Sequence, residues 1–432
     1  MLAATPEFYW EMEVRQIAAE RPRPIWPWTA YDSSKATARL QLADEMDYQA
    51  AIKKGSVSAD GQARHLERRE QLSSLSPSSP ALVFSPSDAD EFAMYQRGAE
   101  DFKRGNKRWS AAEKHWTSLL ALPHNQRTFR STWAAYMLGR LKLLQAEFPQ
   151  AAQWFQKTRE LADTGCIDSL HLAADSLGWE AHCRWKGGEL SQAARLYLDQ
   201  LACGDDTAVT SLRQILRNPN SETTVPTNQH WMDTAKDSVL RRLTTASILS
   251  SYSPLWMDRG ETVGSIHQWL TIVRQAKLQQ VEDAAQLGWL AYTAGDYEAA
   301  TQWLQLNATP SAASHWLKAK LLRREGRLDQ AAEHLSQAIH LLDGAPALTL
   351  TSLNPDMTLP GDAARADLAA LHLERAEFVG ALTAFLEAGK NQDAAYVAER
   401  ILTPNELRAY VDDHFTQAEA EKSADAPESV AP

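Results

Sequence analysis

Apolar residues recur at spacings of three and four along most of this chain, in runs broken by short polar turns. That period places one apolar stripe on each of a succession of helices. The pattern is clearest from Trp133 to Gly204, which reads WAAYMLGRLKLLQAEFPQAAQWFQKTRELADTG and then CIDSLHLAADSLGWEAHCRWKGGELSQAARLYLDQLACG. Each half is a helical hairpin: a first helix of small and apolar residues, a polar turn, an aromatic residue or Leu three positions before an Ala, and a second amphipathic helix. The same offset recurs at Trp109-Ala112, Phe148-Ala151, Leu190-Ala193, Tyr297-Ala300, Leu328-Ala331 and Phe378-Ala381. Four residues after each Ala stands a large apolar residue: Trp116, Phe155, Tyr197, Leu304, Leu335 and Phe385. Twelve residues before it stands a small one, Gly139, Ala181, Gly288, Ala319 or Ala369, except in the first hairpin, where Glu100 takes the place. The Ala is expected where two helices cross. A single hairpin cannot bury its stripe, so neighbours must stack on it.

The sequence small–turn–aromatic–x–x–Ala–x–x–x–aromatic resembles the tetratricopeptide repeat, most closely in Leu287 to Leu304 and in Ala319 to Ile339. The stretch FRSTWAAYMLGRL, Phe129 to Leu141, is similar to one in uncharacterised bacterial proteins of this type. The anchor Ala residues are 39, 42, 107, 31 and 50 apart, against a family repeat of about 34, and the closing Pro of the family is mostly missing. The resemblance covers about half of the chain. It implies an all-α, right-handed α-α superhelix of stacked hairpins, with the first helices lining a concave face.

The rest of the chain divides around that array. Residues 1–85 form an N-terminal helical region, a Pro-Trp strap and a linker. In RPRPIWPW the prolines exclude helix, so Arg21 to Trp28 reads as a strap plugging Trp26 and Trp28 into the protein's own grooves, with a Pro-x-x-Pro ligand as the alternative. Residues 33–72 are polar with a thin stripe, which places them outside or weakly packed. Ser87 with Asp90 reads as a capping box. Residues 86–218 hold three repeats, 219–281 a divergent hairpin, 282–344 further repeats, 345–362 a surface loop, 363–411 the last repeat and an end cap, and 412–432 an acidic tail without structure.

Composition narrows the function. Lys and Arg number 44 against 55 Asp and Glu, a net charge of −11, which argues against general nucleic-acid binding. Nearly half of that charge sits in the tail. The three Cys imply no disulfide framework. No run is long and apolar enough to span a membrane, and Met1 is followed by neither a basic nor an apolar leader. A cytoplasmic location follows by default, or the cell envelope if Met1 is not the native start. Phosphate loops, H-E-x-x-H, C-x-x-C and G-x-S-x-G are missing, so no catalytic, cofactor or metal residue is assigned. His182 and Cys183, adjacent on a helix, diverge by about 100° and suit no common metal.

The fifteen Trp read mainly as packing between repeats, with Trp185 and Trp289 as the expected exceptions. Counting back from each anchor Ala to the inner face gives the candidate partner-binding residues: Arg104, Arg140, His182, Trp185, Lys186, Trp289, Tyr292, Lys320, Arg323 and Arg324. Asp101 and Glu374 share their register. This set is basic and aromatic. The chain is therefore expected to be a non-enzymatic scaffold or adaptor whose groove receives an acidic or carboxylate-bearing segment of a protein partner. A glycan-binding envelope module and a self-associating assembly subunit are the alternatives.

Overall fold

The computed structural model of the chain describes residues 6–28, 36–217, 228–251, 259–344 and 360–424, apart from positions 23, 77, 87, 279, 280 and 308. It holds twenty-one α-helices and, among the described residues, no strand. Ser87 of the expected capping box and most of the loop expected at 345–362 lie outside the described residues. The chain divides into two compact units, residues 13–243 and residues 244–432 with 1–12.

The first unit takes the second half of α1 (Pro6–Ala19), then α2 (Ala36–Lys54), α3 (Gln62–Ser73), and three hairpins: α4 (Glu91–Lys103) with α5 (Trp109–Leu120), α6 (Ser131–Leu144) with α7 (Phe148–Asp163), and α8 (Leu172–Lys186) with α9 (Leu190–Ala202). It continues through α10 (Thr207–Arg217), α11 (Asn228–Lys236) and the start of α12 (Ser238–Ser251). The second unit takes the rest of α12, α13 (Arg259–Gln275), and the hairpins α14 (Ala284–Thr293) with α15 (Tyr297–Gln305), α16 (Ala312–Arg324) with α17 (Leu328–Asp343), and α18 (Pro360–Glu374) with α19 (Phe378–Glu387). Helices α20 (Asn391–Arg400) and α21 (Pro404–Ala424) close it. Two segments differ from the sequence reading. Residues 219–281 contain three helices rather than one hairpin, and α21 carries helix to Ala424, thirteen residues into the expected structureless tail.

The six anchor Ala residues, Ala112, Ala151, Ala193, Ala300, Ala331 and Ala381, are all 0 % exposed. Their small partners allow the close crossing. A Cβ on Gly139 would lie 2.7 Å from the Phe155 ring, and one on Gly288 would lie 2.8 Å from Leu317. The first hairpin departs from the census because its turn is longer: Gly105 is followed by a 3-10 turn, Asn106–Arg108. The small residue there is Gly98, where a Cβ would meet the Trp116 indole at 2.3 Å.

The other five turns share one geometry. A residue with positive φ (Ala146, Gly188, Gly295, Gly326 or Ala376) stands two positions before the second helix. The next residue then donates its N–H to the carbonyl five back, as Glu147 does to Lys142 at 2.9 Å and Arg327 to Leu322 at 3.0 Å. This closes the first helix by a Schellman pattern and starts the second at once. The short polar turns of the sequence are these closures.

Candidate functional site

In the second unit the first helices of successive hairpins, α14, α16 and α18, bring the C-proximal candidates together. Trp289 and Tyr292 lie on α14 with rings edge to face at 6.0 Å, and Trp316 on α16 meets Trp289 at 5.7 Å. The Trp289 indole N–H donates to the Ala313 carbonyl at 2.9 Å. One turn on from Trp316 is Lys320. Both reach Asp367 on α18: the Trp316 indole N–H at 2.7 Å and the Lys320 ammonium at 2.6 Å. Arg323 forms a forked pair with Glu374, its Nε donating to both carboxylate oxygens at 3.0 Å. That hydrogen bonding raises the Arg323 pKa further. The Arg324 guanidinium lies over Tyr297, 3.6 Å from the ring centroid.

In the first unit the arrangement is similar in kind. Arg140 on α6 lies 4.2 Å over the Trp179 ring of α8. His182 meets Trp185 edge to face at 5.7 Å, and the Lys186 ammonium stands 4.7 Å from the same indole. Burial, then Lys186, lowers the His182 pKa, so this imidazole is neutral near pH 7. Arg104 is elsewhere: it pairs with Glu100 at 2.7 Å and donates to the carbonyls of Ser79 and Pro80. There it pins the segment leading into α4.

These positions change the expected picture of an open basic groove. Arg104, Lys320 and Arg323 are already paired with carboxylates of this chain, and Arg140, Lys186 and Arg324 rest on aromatic rings. Trp185 and Trp289, expected as the exposed exceptions, are 7 % and 5 % exposed. Trp179 and Trp316 are half-buried, as are Trp109 and Trp154; Arg140 covers the Trp179 ring, and the Trp316 N–H is spent on Asp367. Cys183 turns into the core beside Phe155 while His182 faces Trp185.

Sequence reasoning missed a buried ionic network under α2 and α3. Arg130, 0 % exposed, pairs with Asp44 and, at 2.6 Å, with Asp47. Its guanidinium is held between Phe92 at 4.3 Å and Trp133 at 4.2 Å. Asp44 also accepts from His65 at 2.8 Å and Arg69 at 2.7 Å, and Asp47 accepts from Ser169 at 2.8 Å. Arg68 joins Asp88 and Gln96, both at 2.8 Å. Burial works to raise the Asp44 carboxyl, but Arg130 with His65 and Arg69 outweighs it and holds the group well below the usual range. At Asp47 burial prevails over Arg130 and raises the pKa. The helices expected to lie loosely outside are therefore docked through charge. Arg21 likewise fixes the strap to Asp199 at 2.7 Å, and the Trp26 indole N–H donates to Asp163 at 2.8 Å. Beside the network a polar cavity of about 490 Å³ is lined by Lys54, Ser56, Asp90, Glu91, Asn125 and Gln126. Glu91 accepts the N–H groups of Phe129 and Arg130, and burial pushes its carboxyl up to about 7.

Among the described residues no group of three or more His, Cys, Asp or Glu is placed to hold a metal ion. No helix among them is long and apolar enough to cross a membrane.

The fold and site define a class, a helical-hairpin repeat protein with aromatic and cationic residues on the first helices of its hairpins. No protein-family model matches the sequence, and no curated protein matches it. Among solved structures the chain is similar to the assembly chaperone of RpL4 (Acl4, residues 1–338), at 14 % identity over 78 % of this chain and 100 % of that one, with a TM-score of 0.22. At that score no residue of this chain inherits a role from the other.

Proposed function

We propose that the chain is a non-catalytic, tetratricopeptide-type scaffold that presents the α14–α16–α18 strip to a carboxylate-bearing segment of a protein partner. The supporting observation is the Arg323–Glu374 pair. It is about one-third exposed on each side, at 35 % and 39 %, and it sits at the end of the row that begins with Trp289 and Trp316. A solvated pair of this kind is worth at most about 1 kcal/mol. A partner carboxylate can therefore exchange for Glu374 and keep the forked contact with Arg323. Lys320 and Asp367 are only 13 % and 16 % exposed and keep the rings in place. The reading thus moves from a free basic groove to one whose own acid is displaced.

The test uses the full chain, immobilised, with three forms side by side: wild type, Arg323→Glu and Glu374→Gln. The expected result is one partner retained by wild type, lost by Arg323→Glu, and held up to about fivefold more tightly by Glu374→Gln, the gain that 1 kcal/mol allows. The variants should unfold within a few degrees of wild type, the shift that about 1 kcal/mol allows. A partner retained equally by all three overturns the reading. Glycan fragments in place of a protein, or a mass that grows with concentration, would replace it with the envelope-module or assembly-subunit alternative.

A further inference from the structure

In the second unit His315 of α16 and His334 of α17 face each other across the hairpin, on residues no reading above uses. Their Nδ1 atoms are 2.9 Å apart, and the ring centroids 5.2 Å, with the planes tilted by 40°. Both rings are half-buried, so solvent reaches them. We propose that this pair is a two-histidine site for a transition-metal ion, Cu(II) above all.

The argument is geometric. Metal–imidazole bonds are about 2.0–2.1 Å long. Two such bonds closing on nitrogens 2.9 Å apart subtend about 90°, the angle between neighbouring positions of a square-planar or octahedral ion and narrower than a tetrahedron allows. Imidazole donors in that geometry favour Cu(II) and then Ni(II), with water in the remaining positions. Without metal, one Nδ1 carries the proton that the other accepts. The ring that carries it must release it from Nδ1 and be protonated at Nε2 instead when metal binds, so that both Nδ1 atoms present lone pairs.

The test titrates Cu(II), supplied as a glycine complex, into the full chain at pH 7.5, following binding by calorimetry and the electron paramagnetic resonance of frozen samples. The expected result is a site of one Cu(II) per chain with splitting from two nitrogens. His315→Gln and His334→Gln should each weaken it at least tenfold and reduce the splitting. Nickel should bind more weakly than copper in the wild type. Binding that is unchanged in both histidine variants, or lost in only one of them, overturns the proposal, as does failure to bind below 1 mM by the wild type. Both positions are half-buried, and thermal unfolding of each variant shows that loss of binding is not loss of fold.

Discussion

Replacing Arg130 by Met should be among the most damaging single changes in residues 13–243. Met fills much of the same slot between Phe92 and Trp133 but removes the charge. Asp44 and Asp47 are 5 % and 4 % exposed, and both lose the guanidinium that offsets their burial. Removing one partner of a buried ion pair costs about 3–5 kcal/mol, and the lost cation–π contacts act in the same direction by up to about 2 kcal/mol. Asp44 keeps His65 and Arg69, so the lower half of the first range is the better expectation, about 3–4 kcal/mol at pH 7. Asp47→Asn added to Arg130→Met should recover about 1–2 kcal/mol by removing an unpaired buried charge. The pH dependence has a definite sign. The folded pKa of Asp44 lies below its unfolded value near 3.9. Its stabilisation is therefore present above about pH 4 and lost as pH falls through the folded value. In Arg130→Met that depression is largely gone, so the deficit should be greatest at pH 7 and shrink below pH 4. Urea unfolding with hydrogen exchange resolved over residues 36–73 measures both. A midpoint at pH 7 corresponding to less than 1 kcal/mol of loss, with unchanged exchange in α2, would refute the account of α2 docking.

Three further outcomes follow from the packing. Gly98→Ala should destabilise by about 1–3 kcal/mol, because its Cβ falls 2.3 Å from the Trp116 indole, and Trp116→Phe in the same chain should return part of that loss in thermal unfolding. Ala146→Gly and Ala376→Gly should each stabilise by a few tenths of a kcal/mol: relief of a φ of +59°, about 1–2 kcal/mol, exceeds the added freedom of the unfolded chain, about 0.4–1 kcal/mol. Burial raises Glu91 to about 7, above its unfolded value near 4.3. Its contribution is full below about pH 4 and declines as pH rises through 7, and Glu91→Gln should remove that part of the slope in denaturant titrations run from pH 4 to 8.

The repeats were legible because their signal is local and periodic. An Ala at a helix crossing, a large apolar residue four positions later and a turn five positions before it are all fixed within one hairpin, and the six Ala residues are fully buried. The network around Arg130 was not legible, since Asp44 and Asp47 look like any solvated acids of a polar helix. The cation that both of them share, and that does most to offset their burial, stands 83 to 86 residues further on. The candidate site fell between these cases. Residue types and inner-face register were readable, and Glu374 stood in the same register as Arg323. That the two would pair, 51 residues apart, depends on how α16 lies against α18, and periodicity along one helix carries no information about the next. Trp289 was misjudged for the same reason: its indole is covered by α16.

The placement of Arg130 also sets an order of events during synthesis. Helix α2 leaves the ribosome first, with its acids exposed, and the guanidinium that allows them inside is translated 83 residues after Asp47. At ordinary elongation speeds of about 5–20 residues per second, the wait is roughly 4–17 s. The nascent N-terminal region must stay soluble through that interval, and its many charges make it able to do so. Docking of α2 is thus a late event, triggered by the arrival of α6, and a chain started at residue 86 would never complete it.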